Sequence, residues 1–324
     1  MIVLAGDIGG TNARLALVEL DRVAAHIVRE VKYPSHDFDS LAPLVRRFLG
    51  EGGPAPTRAC YGVAGPVIDQ RCKTSNLPWI VDAGALALDT GIATLLINDF
   101  HAVGYGVRRL GAQDFVTLQT GVADSTGPIA LIGAGTGLGQ GFLFWDGERY
   151  RVHGSEGGHV AFAARDALEW GLVEFLNAEF ERTSCERVLS GSGIAHLYRY
   201  LAASAPEAEG VHEEMEREDP AAVVTRHALA GTDPLCVKAL DMFVTIYGRQ
   251  AGHLAITVMA TGGVFVAGGI APRIVAKLTD GAFMAAFRDQ GRLTRVAERV
   301  PVHVVLHPSV GLLGAASAAL TDIA

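Results

Sequence analysis

Several things are missing from this sequence. No apolar run reaches the roughly 18 residues that a membrane span needs. The N-terminus runs straight into a strand-like segment, with no basic region, apolar core and cleavage site before it, so no secretory signal is expected. Cysteine is scarce: Cys60, Cys72, Cys185 and Cys236 are scattered, with no CxxC pair. That pattern argues against a disulfide framework or a zinc site and fits reduced thiols in the cytoplasm. Basic charge is also short. With 27 Lys and Arg against 35 Asp and Glu, the net charge is −8, which argues against a nucleic-acid surface. Two nucleotide signatures are absent: no GxxxxGK string followed by Ser or Thr, and no GxGxxG opening a helix.

What is present is glycine, 39 residues of it, in a chain that is 49% hydrophobic. Its 324 residues suggest two domains. Strand-like runs (IVLAGD, ARLALVEL, ACYGVAG, TLLINDF, PIALIGAG, GQGFLFWD, GVFVAGG and VPVHVVLHP) alternate with helical patterns such as DFDSLAPLVRRFLGE and DPLCVKALDMFVTIYGRQAGHLAITVM. Alternation of this kind predicts α/β architecture. The acidic stretch 206–220 reads as a polar loop or helix end with a solvated face.

The first strand ends in Asp7 and a Gly9-Gly10-Thr11-Asn12 turn, and the apolar pattern then resumes, so the segment is a strand–turn–strand hairpin. The same grammar recurs at IALIGAGTGLGQGFLF, with Gly133, Gly135, Thr136, Gly137 and Gly139 in the turn region. Two such hairpins suggest two similarly built halves. Glycines let backbone N–H groups converge on an anion. Asp7 would repel a phosphate unless a hard cation such as Mg²⁺ lay between them; the plain alternative is a hairpin with a capping acid. Asn98 and Asp99 end the strand run at 94–97, where α/β proteins place ligands. Asn offers a donor and an acceptor, and Asp an acceptor that can take a hydroxyl proton; a helix N-cap is the alternative. Glu156 and His159 sit in the Gly-rich turn GSEGGHV, and Glu186 opens the helical segment of SCERVLSGSG. Gly268 and Gly269 end an apolar strand, where small residues admit a flat ligand such as a nucleoside.

Taken together, LAGDIGGTNARLAL, INDFHAVG, GAGTGLG, SEGGHV, ERVLSGSG and VFVAGGIAPR, in this order over most of the chain, resemble bacterial glucokinases of the hexokinase/actin-like ATPase superfamily, outside the ROK group. The resemblance implies a two-domain actin-like ATPase (ribonuclease H-like) α/β fold with an interdomain active-site cleft. The smaller domain would comprise residues 1–109 and a C-terminal strand and helix, 300–324; the larger would be 110–299. It implies ATP-dependent phosphorylation of glucose at its 6-hydroxyl by a cytoplasmic homodimer, with another hexose (mannose, fructose or an amino sugar) as the alternative substrate. Asp99 would be the general base. Asn98, Asp99, Glu156, His159 and Glu186 would hold the sugar, with Thr74, Ser75 and Asn76 near it. Asp7 would lie near Mg²⁺, through water. Asp7, Gly9, Gly10, Thr11, Asn12, Gly133, Gly135, Thr136, Gly137, Gly268 and Gly269 would bind ATP. Ser155 stands where the family commonly has glycine. A sugar-sensing regulator on this fold would have lost the base or gained a DNA-binding element; Asp99 is present and no basic helix-turn-helix is.

Overall fold

The hairpin expected at the N-terminus forms. In the computed structural model, which describes residues 1–21, 24–74, 77–205 and 209–321, β1 (Ile2–Ile8) and β2 (Asn12–Leu20) pair antiparallel from Ile2↔Glu19 to Ile8↔Ala13. β3 (Ala25–Pro34) continues antiparallel, and β4 (Arg58–Val63) lies parallel to β1 on its other side. A small ribbon comes next, β5 (Arg71–Lys73) and β6 (Ile80–Asp82), and then β7 (Ala93–Asn98) parallel to β4. The sheet order is β3-β2-β1-β4-β7.

A second sheet repeats the plan. Its strands are β8 (Phe115–Gln119), β9 (Ile129–Ala134), β10 (Leu138–Trp145), β11 (Tyr150–Ser155), β12 (Gly263–Ala267) and β13 (Val302–Val305), in the order β11-β10-β9-β12-β13-β8. Again an antiparallel hairpin, β9–β10, is followed by parallel neighbours, β12 and β13; β8 is an extra antiparallel edge strand.

The chain divides into two compact units: Met1–Asp114 with Val152–Gly154 and His307–Ala324, and Phe115–Arg151 with Ser155–Leu306. In the first unit both faces of the sheet are covered, so β1 and β2 are apolar almost throughout. The helix Leu41–Gly50 packs Leu41, Leu44, Val45 and Phe48 with Leu4, Leu15 and Leu17. On the other face, the helices Asp99–Val107 and Val310–Thr321 enclose Val3, Ala5 and Val18 with Leu312 and Ala316. These two helices touch at glycines: a Cβ at Gly106 would overlap the Val310 carbonyl, and one at Gly314 the Ala102 carbonyl. In the second unit the 25-residue helix Pro234–Val258 is the centre of the core, through Leu240, Phe243, Val244 and Tyr247. Arg249 of that helix makes a buried two-pronged ion pair with Glu169, at 2.9 and 2.6 Å.

Two expectations differ from the structure. The strand near residue 300 lies in the second sheet, because Val302 and Val304 are drawn into the second core beside Val264 and Val266; only the helix after it belongs to the first unit. The acidic stretch holds a helix, Glu209–Arg217. Val211 anchors it in the core, and Glu214 pairs with Arg226 and His227 of the next helix. Among the described residues, no helix is long and apolar enough to cross a membrane.

Candidate active site

Asp7, Asn98, Asp99, Gly133, Gly268 and Gly269 lie at or just past the C-terminal ends of parallel strands, where open α/β sheets bind ligands; Glu156 and His159 instead follow the edge strand β11, and Glu186 lies in the short helix Cys185–Val188. In the first unit, Asp7 of β1 is opposite Gly62 of β4, and Gly62 is opposite Ile97 of β7. By strand spacing, Asp7 and Ile97 are roughly 10 Å apart. Gly62 leaves room for the helix after β7: a Cβ there would stand 3.1 Å from Ala102 Cβ and 3.4 Å from Asp99 Cα. The helix carrying Asp99 thus starts directly over β4.

Asn98 and Asp99 divide their labour. Asn98 caps the helix: its Oδ1 accepts from Phe100 N at 2.9 Å and His101 N at 3.2 Å, while its Nδ2 donates to the Gly65 carbonyl at 3.2 Å. Asp99 is the first helical residue, with Oδ1 taking Phe100 N at 2.8 Å. The expected capping alternative therefore applies to Asn98 rather than Asp99. Burial pushes the Cys72 thiol up, and the Asp99 charge adds to it.

The first turn is tight: Gly9 N donates to Asn12 O at 3.0 Å. Ser35, fully buried, props it from outside, donating its backbone N–H to Thr11 O at 3.0 Å and its hydroxyl to Gly9 O at 2.9 Å. Burial raises the Asp7 carboxyl, an effect that Arg14 opposes. Arg14 is opposite Asp7 in the hairpin and holds Glu30 at 2.6 Å and the Ser309 hydroxyl at 2.7 Å. A desolvated carboxylate beside a glycine turn fits a cation carried in with phosphate.

In the second unit, the turn at 135–137 closes through Gly135 N to Gly137 O at 2.8 Å. Gly133 is the penultimate residue of β9, opposite Ala267 of β12. Ala134 links three segments. Its N–H donates to the buried Tyr247 hydroxyl at 3.1 Å, and its carbonyl accepts from Ile270 N at 3.2 Å. Gly268, at φ +83, crosses that carbonyl so closely that a Cβ would overlap it. Gly135, Thr136 and Gly269 line a cavity of about 450 Å³. Part of its lining was not foreseen: Ala221, Ala222, Thr225, Arg226 and Leu229, one face of the helix Pro220–Ala230, together with Ile270 and Arg273. Val223, Val224 and Ala228 of the same helix take the core side; that apolar stripe is the only signal the sequence carries there, since the cavity face mixes small and polar residues.

Glu156, His159 and Glu186 come together. His159 lies 3.7 Å from Glu156 Oε2 and 3.8 Å from Glu186 Oε1. They meet because residues 160–162 run beside 183–185: Cys185 N donates to Val160 O at 2.9 Å and Phe162 N to Thr183 O at 3.0 Å. Ser155 has its own use, accepting Gly157 N at 3.0 Å within the turn. Thr74 is buried, its hydroxyl bound to Leu77 O at 3.0 Å, so it serves its own loop. Ser75 and Asn76 lie outside the described residues.

The fold is that of the actin-like ATPases, shared with a glucokinase from an Antarctic psychrotroph at 33% identity and TM-score 0.85, covering 99% of both chains. A ROK family glucokinase from Streptomyces griseus, solved in complex with glucose and AMPPNP, shares the fold at 21% identity and TM-score 0.69, over 99% of this chain and 100% of that one. The glucokinase family model matches residues 4–322, and the glucokinase of Trichormus variabilis is 42% identical over 97% of this chain and 98% of its own. The chain belongs to the glucokinase family.

Proposed function

We propose that this protein transfers the γ-phosphoryl group of ATP to the 6-hydroxyl of glucose, in the cytoplasm, with Asp99 as general base. The observation that carries the reading is in the second unit. There, an acceptor-rich trio suited to sugar hydroxyls, Glu156, His159 and Glu186, borders a glycine turn that lines a nucleoside-sized cavity. Carboxylates accept from hydroxyl donors and disfavour anionic sugars, so the site suits a free hexose. Four free, buried cysteines support a reducing compartment.

The chemistry left to the protein is mostly placement and charge. Asn98 fixes the helix start and so fixes Asp99, which takes the hydroxyl proton as that oxygen attacks phosphorus. The turn at 135–137 presents backbone N–H groups and Thr136 to phosphate, and the cavity takes the nucleoside. Asp7 is the residue that would hold Mg²⁺, through water. The ion would neutralise phosphate charge.

The test compares wild type with Asp99→Ala. Turnover should fall by on the order of 10² to 10⁴, the usual share of a general base, while calorimetry shows glucose binding within a few-fold. Turnover near wild type in the variant would remove Asp99 from this role.

A further inference from the structure

Glu186 stands in two places at once. Its Oε1 faces His159, at 3.8 Å, on the side assigned to the sugar. Its Oε2 accepts the N–H of Leu138 at 2.9 Å, the first residue after the second turn. Gly137 is pressed against the same oxygen, and a Cβ there would overlap it. The segment that carries Glu186 also reaches the start of the turn, where Gly191 N donates to Gly135 O at 2.8 Å. Ser190 stiffens the segment by donating its hydroxyl to the Glu186 carbonyl at 2.8 Å. The turn is therefore held at both ends by residues 186–191, and one of the two holds is the sugar-facing carboxylate. Among the described residues, Glu156 has no such second attachment: its side chain is two-thirds exposed, and the ion contact it makes is with His159.

We infer that Glu186 is a positioning residue for the nucleotide turn and couples the two substrates. This rests on the glucokinase reading above. A sugar hydroxyl bound to Oε1 orders the carboxylate, and the ordered carboxylate holds Leu138 N–H and with it the turn. A hydrogen bond to an ionised acceptor is among the stronger kinds. The ordering cost is met once, so each ligand tightens the other by the same factor. The coupling works within one unit of the chain.

The experiment is a pair of calorimetric titrations with Mg·AMPPNP, without and with saturating glucose, giving a ratio of dissociation constants. Four proteins are compared: wild type, Glu186→Asp, Gly137→Ala and Glu156→Gln, each checked for a native circular dichroism spectrum. Wild type should show a ratio of roughly 5 to 150, the usual range for coupled sites. Glu186→Asp, one methylene short of spanning both contacts, should bring the ratio close to one. Gly137→Ala displaces the carboxylate from the other side and should do the same, which keeps the test intact if one variant does not fold. Glu156→Gln should weaken glucose binding yet keep the wild-type ratio. A wild-type ratio in Glu186→Asp and Gly137→Ala overturns the inference, as does an equal collapse in Glu156→Gln. A ratio of one in wild type overturns it while leaving the kinase reading untouched. A wild type that binds no glucose removes that reading as well.

Discussion

The turns at residues 9–12 and 135–137 share a backbone plan and differ in what holds them. Each joins two antiparallel strands, and each hairpin is followed by parallel neighbours. The first carries its own carboxylate, Asp7 in the strand before it, and is propped by Ser35. The second has no acid within it. Two other segments hold it, residues 186–191 through Glu186 and Gly191, and the helix of Tyr247. The first is a fixed local structure around a desolvated charge, suited to a cation that must be in place for every turnover. The second is a junction whose geometry depends on what its supports are doing, suited to a loop that reports on a neighbouring ligand.

Removing the charge is the largest way to break this contrast. Asp7→Asn should lower kcat by on the order of 10² or more, as losses of groups that stabilise developing charge do, with the KM for glucose little changed in steady-state assays. Gly268→Ala comes next. It forces a side chain into a left-handed backbone position and into the Ala134 carbonyl, so the KM for ATP should rise roughly tenfold, equivalent to about 1.4 kcal/mol. The KM for glucose should move much less. The smallest effects compare the props. Ser35→Ala strips one partner from Gly9 O, and Tyr247→Phe strips the partner of Ala134 N; each should cost about 1–3 kcal/mol in denaturant unfolding. Tyr247→Phe should cost the more, because its hydroxyl also lies within 3.5 Å of the Ile132 and Ala267 carbonyls, whereas Ser35→Ala keeps the backbone bond to Thr11. Equal costs would erase the distinction between a locally built turn and a junction.

Much of this was legible in the sequence because it is local. The continuation of apolar residues after Gly10 distinguishes a hairpin from a strand entering a helix, and the recurrence at 129–144 announces a repeat. Asp99, Glu156, His159 and Glu186 sit in short polar interruptions of apolar runs. What was not legible depends on long-range packing. Ser35 looks like any loop serine until the chain brings it under the first turn. Tyr247 is one aromatic residue in a 25-residue helix, and nothing adjacent marks its hydroxyl as the partner of Ala134. The strand at 302–305 reads the same whichever sheet takes it. The helix Pro220–Ala230 shows its apolar face plainly, but its cavity face is a mixture of small and polar residues that resembles a solvated surface.

The most direct test is ADP release from Mg·ATP with glucose, mannose, fructose, glucosamine or no sugar, with the product identified by phosphorus NMR. Fast release that requires a hexose, the highest kcat/KM on glucose and a phosphate ester on the 6-oxygen are the expected results. Release indifferent to sugar, or a higher kcat/KM on another hexose, would contradict the glucose assignment.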